Sequence, residues 1–405
     1  MAASSAKRTG VWLVGALGGL GTTVLVGARA IARGRASPTG LVTARSEFES
    51  LALVPLADVA FGGHDVRPVT LVQSAWEVQR ESGSLGHDLL AALGEDLASI
   101  DTQIRPGVSV NCGAAIEQLA PQVRADTRSL RAIVDQLRAD LRVFRDTHGF
   151  ERLIVVNLAS TEPLMDLGHP LQSLTALEAA LDQDAKTEVR ASLLYAYAAL
   201  QEGAAYINFT PSNAALCPAI QELAGKRQLP FMGSDGKTGE TLVKSALAPM
   251  FRHRNLQVLS WQGYNILGDR DGRILAQSEN KEAKVQSKDR LLGEILGYPL
   301  HTHVGIDYVE SLEDHKTAWD FIHFRGFLGH KMAMQFIWQG CDAILAAPLV
   351  LDLVRLADLA LRRGESGPMP YLASFFKSPL GVHEHDLHRQ FEMLLAHVER
   401  CGADA

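Results

Sequence analysis

The stretch Met232–Ser245, MGSDGKTGETLVKS, carries the densest set of groups able to do chemistry. Gly233, Gly236 and Gly239 break it into a loop, Thr238 and Thr241 bring hydroxyls, and Lys237 and Lys244 bring positive charge. Leu229–Met232 before it reads as a strand, and Glu240–Met250 after it as a helix. A glycine-rich turn opening a helix presents backbone N–H groups at the positive end of the dipole. That collection suits a phosphate monoester. Gly-Lys-Thr suggests a nucleotide P-loop, but that motif needs a glycine five residues ahead of the Gly-Lys. Phe231 holds that position. The competing reading is an ordinary turn capped by Thr238.

Other reactive side chains lie further along. Asn280–Leu296 reads as a basic helix. Lys284 and Lys288 stand four apart there and share a face. Two ammonium groups that close lower at least one pKa; a solvated charged face is the alternative. Lys316 falls in a predicted turn between strands at Val304–Val309 and Thr317–Phe324, and Lys377 follows Phe376. Asp352 sits among leucines in APLVLDLVRLADLAL, where a carboxylate needs a partner or a role. His383-x-His385-x-x-His388 has no carboxylate or cysteine spacing that completes a known metal site. No metal is therefore expected.

The elements that must position these groups alternate. Val11–Val14 reads as a buried strand, followed by Gly15-Ala-Leu-Gly18-Gly19-Leu20-Gly21 and a helix from about Thr22 to Arg33. Strand, glycine turn and helix form the entry to a dinucleotide site, here spaced G-x-x-G-x-x-G. A strand at Asp58–Phe61 leads to Asp65. An acidic residue after the second strand normally holds the adenosine ribose; a turn aspartate fits the local sequence equally. An insertion around Thr39–Pro55 accounts for its distance from the glycine turn. Helical patterns cover Ser84–Leu97 and Leu119–Asp146. A strand at Leu153–Leu158 ends in Ser160-Thr161-Glu162, where ligands bind in open sheets. A helix at Val189–Glu202 and a strand at Ala205–Phe209 continue the alternation, which argues for a parallel, helix-covered sheet. Later, Leu256–Trp261 reads as a strand, Gly263–Gly272 as a polar loop, and Gln335–Leu361 as a helix broken near Pro348.

With 405 residues the chain is long enough for two domains. A net charge of −7 excludes general attraction to nucleic acid or acidic membranes. Cys112, Cys217, Cys341 and Cys401 show no C-x-x-C spacing and read as reduced thiols of a cytoplasmic protein. Val11–Ala28 is uncharged and approaches membrane-spanning length. Its glycines and its strand–turn–helix pattern assign it instead to the nucleotide site.

Taken together, FGGHD at Phe61–Asp65, STE at Ser160–Glu162, YINFTPSN at Tyr206–Asn213 and the stretch Ser234–Ser245 resemble one family. NILGDRDG at Asn265–Gly272, AAPLVLDL at Ala346–Leu353 and FKSP at Phe376–Pro379 add to the match. The family is myo-inositol-1-phosphate synthase, also called inositol-3-phosphate synthase, in its short prokaryotic form. The resemblance implies an α/β fold: a Rossmann-type parallel-sheet domain over 1–233, completed by 331–405. An α+β catalytic and tetramerisation domain over 234–330 is inserted into it. It implies NAD, a hexose 6-phosphate substrate and a homotetramer. Glucose 6-phosphate is oxidised at C5, enolised at C6, closed by aldol addition to C1 and reduced. By resemblance the catalytic groups are Lys284, Lys288, Lys316 and Lys377, with Asp235 and Asp271. Lys284 would shuttle the C5 hydroxyl proton, Lys377 would face the C1 oxygen, and Lys288 would support the phosphate. The cofactor would be held by Gly15, Gly18, Gly19, Leu20, Asp65, Ser160, Thr161 and Asp352. The substrate phosphate would be held by Thr238, Gly239, Glu240 and Thr241, and its hydroxyls read by Asp269 and Arg270.

The chain departs from the family pattern at several of these positions. Leu20 stands where the family has asparagine, Glu240 where it has glutamine, and Asp269-Arg270 where it has Asn-Asn. The last change leaves open the same chemistry on another sugar phosphate, such as fructose 6-phosphate closing to a five-membered cyclitol. A simple NAD-dependent sugar-phosphate dehydrogenase is a further alternative.

Overall fold

The computed structural model describes residues 9–119, 126–268 and 291–403. Strand β1 (Thr9–Val14) is buried along its whole length, because an apolar run such as VWLV must be covered on both faces. It is followed by β2 (Val59–Asp65), β3 (Ile104–Pro106), β4 (Arg152–Asn157), β5 (Ala205–Asn208) and β6 (Pro230–Gly233). These lie in the order β6-β5-β4-β1-β2-β3 and all pair in parallel. Strand order reverses between β1 and β4, and in such sheets the ligand crevice opens there, beyond the carboxyl ends.

Helices cover both faces. On one, Gly19–Ala32 and Asp342–Arg362 share a core that includes Val24, Leu25, Val350, Leu353 and Val354. On the other, Leu130–His148 and Ala191–Gln201 share Leu137, Leu141, Leu193 and Leu194. The uncharged run Val11–Ala28 resolves into β1, the glycine turn and the first helix. No helix among the described residues is long and apolar enough to cross a membrane.

A second, four-stranded sheet holds β7 (Gln257–Leu267), β8 (His301–Tyr308), β9 (Lys316–Arg325) and β10 (Lys331–Gly340), in the order β10-β9-β7-β8. Strand β7 runs well past Trp261, so GYNIL is strand and not loop. Its buried positions alternate through Trp261, Gly263, Asn265 and Leu267. The pattern is disguised because the buried Asn265 is polar and donates to Glu240. Strands β8 and β9 are not neighbours: β7 lies between them, parallel to β8 and antiparallel to β9. Lys316 therefore opens a strand and does not sit in a turn.

Strand β10 occupies the start of the expected helix at Gln335, and that helix begins at Asp342. The second sheet thus extends ten residues beyond residue 330. The helix runs unbroken through Pro348. One missing backbone bond near its start is outweighed by the buried face it carries. Strand β11 (Gly367–Pro368) then returns to pair with β6. The sequence reading missed Leu71–Ser82, which opens on a Thr70–Gln73 capping box, and the closing helix Leu387–Ala403. Within the expected helix Leu119–Asp146 the described residues hold the end of Ala114–Leu119 and the helix Leu130–His148, which the Ser129 hydroxyl caps; 120–125 lie outside the described residues.

Candidate active site

A cavity of about 310 Å3 opens at the switch point. The turn after β1 builds one end. Gly15 has a φ of +86°, and a Cβ there would come within 3.0 Å of the Ala159 nitrogen. A Cβ on Gly21 would lie 2.3 Å from the Gly15 oxygen, so glycine is what lets the first helix approach this closely. Gly18, Gly19 and Leu20 line the cavity. The helix has no acidic residue in its first turn, and first-turn N–H groups lack partners within a helix.

Asp65 ends β2 beside this turn. Its Oδ2 accepts from the Leu17 amide at 2.7 Å and its Oδ1 from the Arg67 amide at 2.8 Å. Burial pushes its carboxyl up, against those two bonds. Arg67 donates to the Leu17 carbonyl at 2.5 Å and pairs with Glu77 at 2.5 Å. Ser160 and Thr161, beyond β4, line the same end. Glu162 beside them is buried and accepts from the Ser192 amide at 2.8 Å and from its hydroxyl. Burial raises its pKa.

The loop after β6 builds the other end. Asp235 has a φ of +63°, a left-handed conformation that aspartate adopts more readily than most residues. A Cβ on Gly236 would lie 2.1 Å from the Phe209 ring. The loop is laced to Phe375–Ser378 by backbone bonds: Ser234 N to Ser378 O at 2.8 Å, Lys377 N to Asp235 O at 2.7 Å, and Lys237 N to Phe375 O at 2.8 Å. That lacing brings Lys377 Nζ to 2.7 Å from Asp235 Oδ1, both largely buried.

Helix Gly239–His253 starts next, with Gly239 at φ +53°. Thr238 makes no side-chain cap bond, so the capped-turn reading fails there. Lys316 stands at the start of this helix: its Nζ would be 3.6 Å from a Cβ on Gly239. It pairs with Asp342 at 3.0 Å. Asp342 was not legible as a site residue. Its signal was an acidic residue directly after a strand, in the first turn of a helix.

Two lysines of the loop are used otherwise than expected. Lys237 is buried and donates to Gln390 of the closing helix. Burial lowers its pKa to about 7, with Asp386 opposing and Lys377 adding to the fall. Lys244 pairs with Glu240 at 2.5 Å and lies 3.8 Å from Asp320. All three are fully buried. Glu240 also accepts from Asn265 at 2.6 Å. Its carboxylate is thereby matched by the Lys244 ammonium.

The cavity thus joins Gly15, Gly18, Gly19, Leu20, Asp65, Ser160 and Thr161 to Asp235, Thr238, Glu240, Thr241, Lys316 and Lys377. Asp352 is not among its walls. It accepts from the Val42 amide at 2.7 Å and from the Thr43 amide at 2.9 Å and hydroxyl at 2.5 Å, with its pKa pushed up to about 6 by burial. Its partners lie in the segment around Thr39–Pro55. The histidines of the tail do not gather as a cluster; His385 pairs with Glu294 at 2.5 Å. Lys284, Lys288, Asp269, Arg270 and Asp271 lie outside the described residues.

An NAD-binding family model described as myo-inositol-1-phosphate synthase matches residues 9–399. The chain belongs to the myo-inositol-1-phosphate synthase family. It is 35% identical to inositol-3-phosphate synthase 1 of Bacteroides thetaiotaomicron, over 96% of this chain and 94% of that protein. It is 30% identical to inositol-3-phosphate synthase of Trypanosoma brucei brucei, over 88% of this chain and 73% of that one. Its fold matches the crystal structure of inositol-3-phosphate synthase from Caenorhabditis elegans with a TM-score of 0.87 and 25% identity, over 98% of this chain and 86% of that one.

The family cofactor is NAD, and this synthase-family cavity fits it. The tight turn, the open N-terminus of the first helix and a buried carboxylate at the end of β2 are the donor set of a dinucleotide site. Leu20 has no side-chain amide, so the pyrophosphate would be held there by backbone N–H groups. Asp65→Ala should weaken NAD binding by about 10- to 100-fold, since charge-assisted hydrogen bonds contribute about 1.5–3 kcal/mol. Calorimetry on a variant with native circular dichroism measures this. Unchanged affinity would remove Asp65 from the ribose.

Proposed function

We propose that this chain converts glucose 6-phosphate to 1D-myo-inositol 3-phosphate. The supporting observation is one cavity that joins a dinucleotide turn to two lysine–carboxylate pairs, Lys377–Asp235 and Lys316–Asp342. NAD supplies the oxidation at C5 and the later reduction, so none is consumed. The protein must do the rest: hold a flexible chain curled, move protons, and stabilise two developing oxyanions. The helix start at Thr238–Thr241 takes the phosphate and fixes one end of the substrate. Lys377, held by Asp235, faces the C1 oxygen where the aldol step develops alkoxide. Lys316 adds charge at the helix start or on a second reacting oxygen. Lys284, Lys288 and Asp271 complete the catalytic set, and Asp269 and Arg270 read the sugar hydroxyls.

The test is product analysis. Incubation with glucose 6-phosphate and NAD should give inositol phosphate by chromatography and NMR without net NADH. Stoichiometric NADH would identify a dehydrogenase. A five-membered cyclitol formed from fructose 6-phosphate, and none from glucose 6-phosphate, would identify the sister chemistry.

Gly239 offers a sharper probe of the phosphate end. Gly239→Ala places a Cβ in a left-handed conformation, at a cost of about 1–2 kcal/mol, and 3.3 Å from Asp342 Oδ1. KM for the sugar phosphate should rise several-fold while NAD affinity holds. Equal losses for both ligands would sink the assignment.

The same reading extends to assembly and compartment. Tyr264, Trp319 and Ile337 face out in register across β7, β9 and β10. Monomers rarely leave such an apolar stripe uncovered, which supports a homotetramer built on this sheet. None of the four cysteines forms a disulfide, as suits a cytoplasmic enzyme.

A further inference from the structure

Outside the cavity, three side chains of ligand type converge where the chain closes on itself. His397 and Cys401 stand four apart on helix Leu387–Ala403, and so share a face. Glu365 comes from the turn after helix Asp342–Arg362. Their ligand atoms all lie within 4.8 Å of one another. Cys401 Sγ is 3.3 Å from His397 Nε2, and Glu365 Oε1 is 3.7 Å from the same nitrogen. A tetrahedral ion with bonds of about 2.3 Å to sulfur and about 2.0–2.1 Å to nitrogen and oxygen sets its ligands roughly 3.3–3.6 Å apart. The pairs around His397 are therefore near coordination spacing already.

The surroundings act as an outer shell. Tyr371 Oη donates to Glu365 Oε2 at 2.8 Å, which leaves Oε1 toward the imidazole. The Tyr371 ring lies on His397 with centroids 3.5 Å apart and planes 4° from parallel, which fixes the imidazole plane. Such partners orient ligands in metal sites. His397 and Cys401 are buried, whereas Glu365 is partly exposed and gives a way in. One contact competes: Arg363 Nε lies 3.4 Å from Glu365 Oε1, and an arriving cation must take over that oxygen.

We propose that Glu365, His397 and Cys401 bind a divalent zinc-type ion, with water in the fourth position. A thiolate, an imidazole and a carboxylate suit zinc by softness and geometry. On binding, the Cys401 thiol gives its proton to solvent. None of the three residues lines the cavity, so the ion is structural. It ties the closing helix to the end of the helix that covers the parallel sheet, whatever sugar phosphate the enzyme cyclises.

The test uses the full chain, stripped with chelator and titrated with Co2+ alone. One equivalent should produce a thiolate-to-cobalt charge-transfer band in the near ultraviolet and tetrahedral ligand-field bands in the visible. Zn2+ should displace both. Cys401→Ser should abolish the ultraviolet band. Glu365→Gln keeps the thiol and should retain the band with affinity lowered at least tenfold, which covers the case in which Cys401→Ser misfolds. Zn2+ should raise the thermal midpoint of the parent protein and not that of Cys401→Ser. Absence of a cobalt–thiolate band in the parent protein would overturn the site and leave a packed Cys–His hydrogen bond. So would a band that survives in Cys401→Ser, or an affinity indifferent to Glu365→Gln.

Discussion

Lys377→Ala is expected to complete the first oxidation and fail at ring closure. The ammonium stands 2.7 Å from Asp235 in the cavity wall, at the end of the backbone ladder that joins Phe375–Ser378 to the phosphate loop. Under the proposed cyclisation it faces the C1 oxygen. Losing one fixed donor at a developing oxyanion costs about 3–4 kcal/mol, roughly a hundred- to thousand-fold in rate. In a single turnover with glucose 6-phosphate, the near-ultraviolet absorbance of reduced nicotinamide should therefore build up and persist. In the parent protein it should not accumulate. If Lys377→Ala forms inositol phosphate at the parent rate, Lys377 has no part in the aldol step.

Lys244→Met should cost stability of similar size for a different reason. Lys244 is buried with Glu240 at 2.5 Å and Asp320 at 3.8 Å. Removing the cation takes the positive charge from two buried carboxylates. Breaking a buried ion pair by deleting one partner costs about 3–5 kcal/mol, whereas removing both charges is far milder. Denaturant melts should show that loss in Lys244→Met and recovery of most of it in Lys244→Met with Glu240→Gln. A single variant with the parent midpoint would mean that water or another cation reaches the carboxylates.

These two lysines show what sequence could and could not convey. Both were visible as positive charge, yet only Lys377 reaches the cavity. Lys237 and Lys244 lie in the loop most suited to an anion, and both turn away from it. Lys237 reaches Gln390, 153 positions distant, and no local pattern announces that contact; the Glu240–Lys244 pair has ordinary i,i+4 helix spacing, but nothing local shows that it is turned inward toward Asp320. The parallel sheet was legible because its strands are apolar runs punctuated by glycine and polar turns. The second sheet was harder: β7 carries a buried asparagine and β10 reads as helix, since its alternation blends into the apolar helix that follows. Asp352 was legible as a carboxylate in need of a partner; its partners within the chain are the Val42 amide and the Thr43 amide and hydroxyl, which no local pattern announced. Asp342 escaped because one acidic residue at a helix start is ordinary until the lysine opposite it is known.

The shared core of the first helix and helix Asp342–Arg362 sets an order of events during synthesis. Val24 and Leu25 pack with Val350, Leu353 and Val354, more than 320 positions later. At about 5–20 residues per second, the ribosome takes roughly 15–60 s to supply that cover. The opposite face of β1 is packed by Leu130–His148 and Ala191–Gln201 and closes much sooner. Between those moments the face awaiting helix Asp342–Arg362 is covered only in part, by the first helix, Leu71–Ser82 and His87–Asp101, while its β4–β6 end, which that helix will meet, stays bare. A chain stopped short of residue 342 keeps the β4–β6 end of that face bare, and is a client for chaperones.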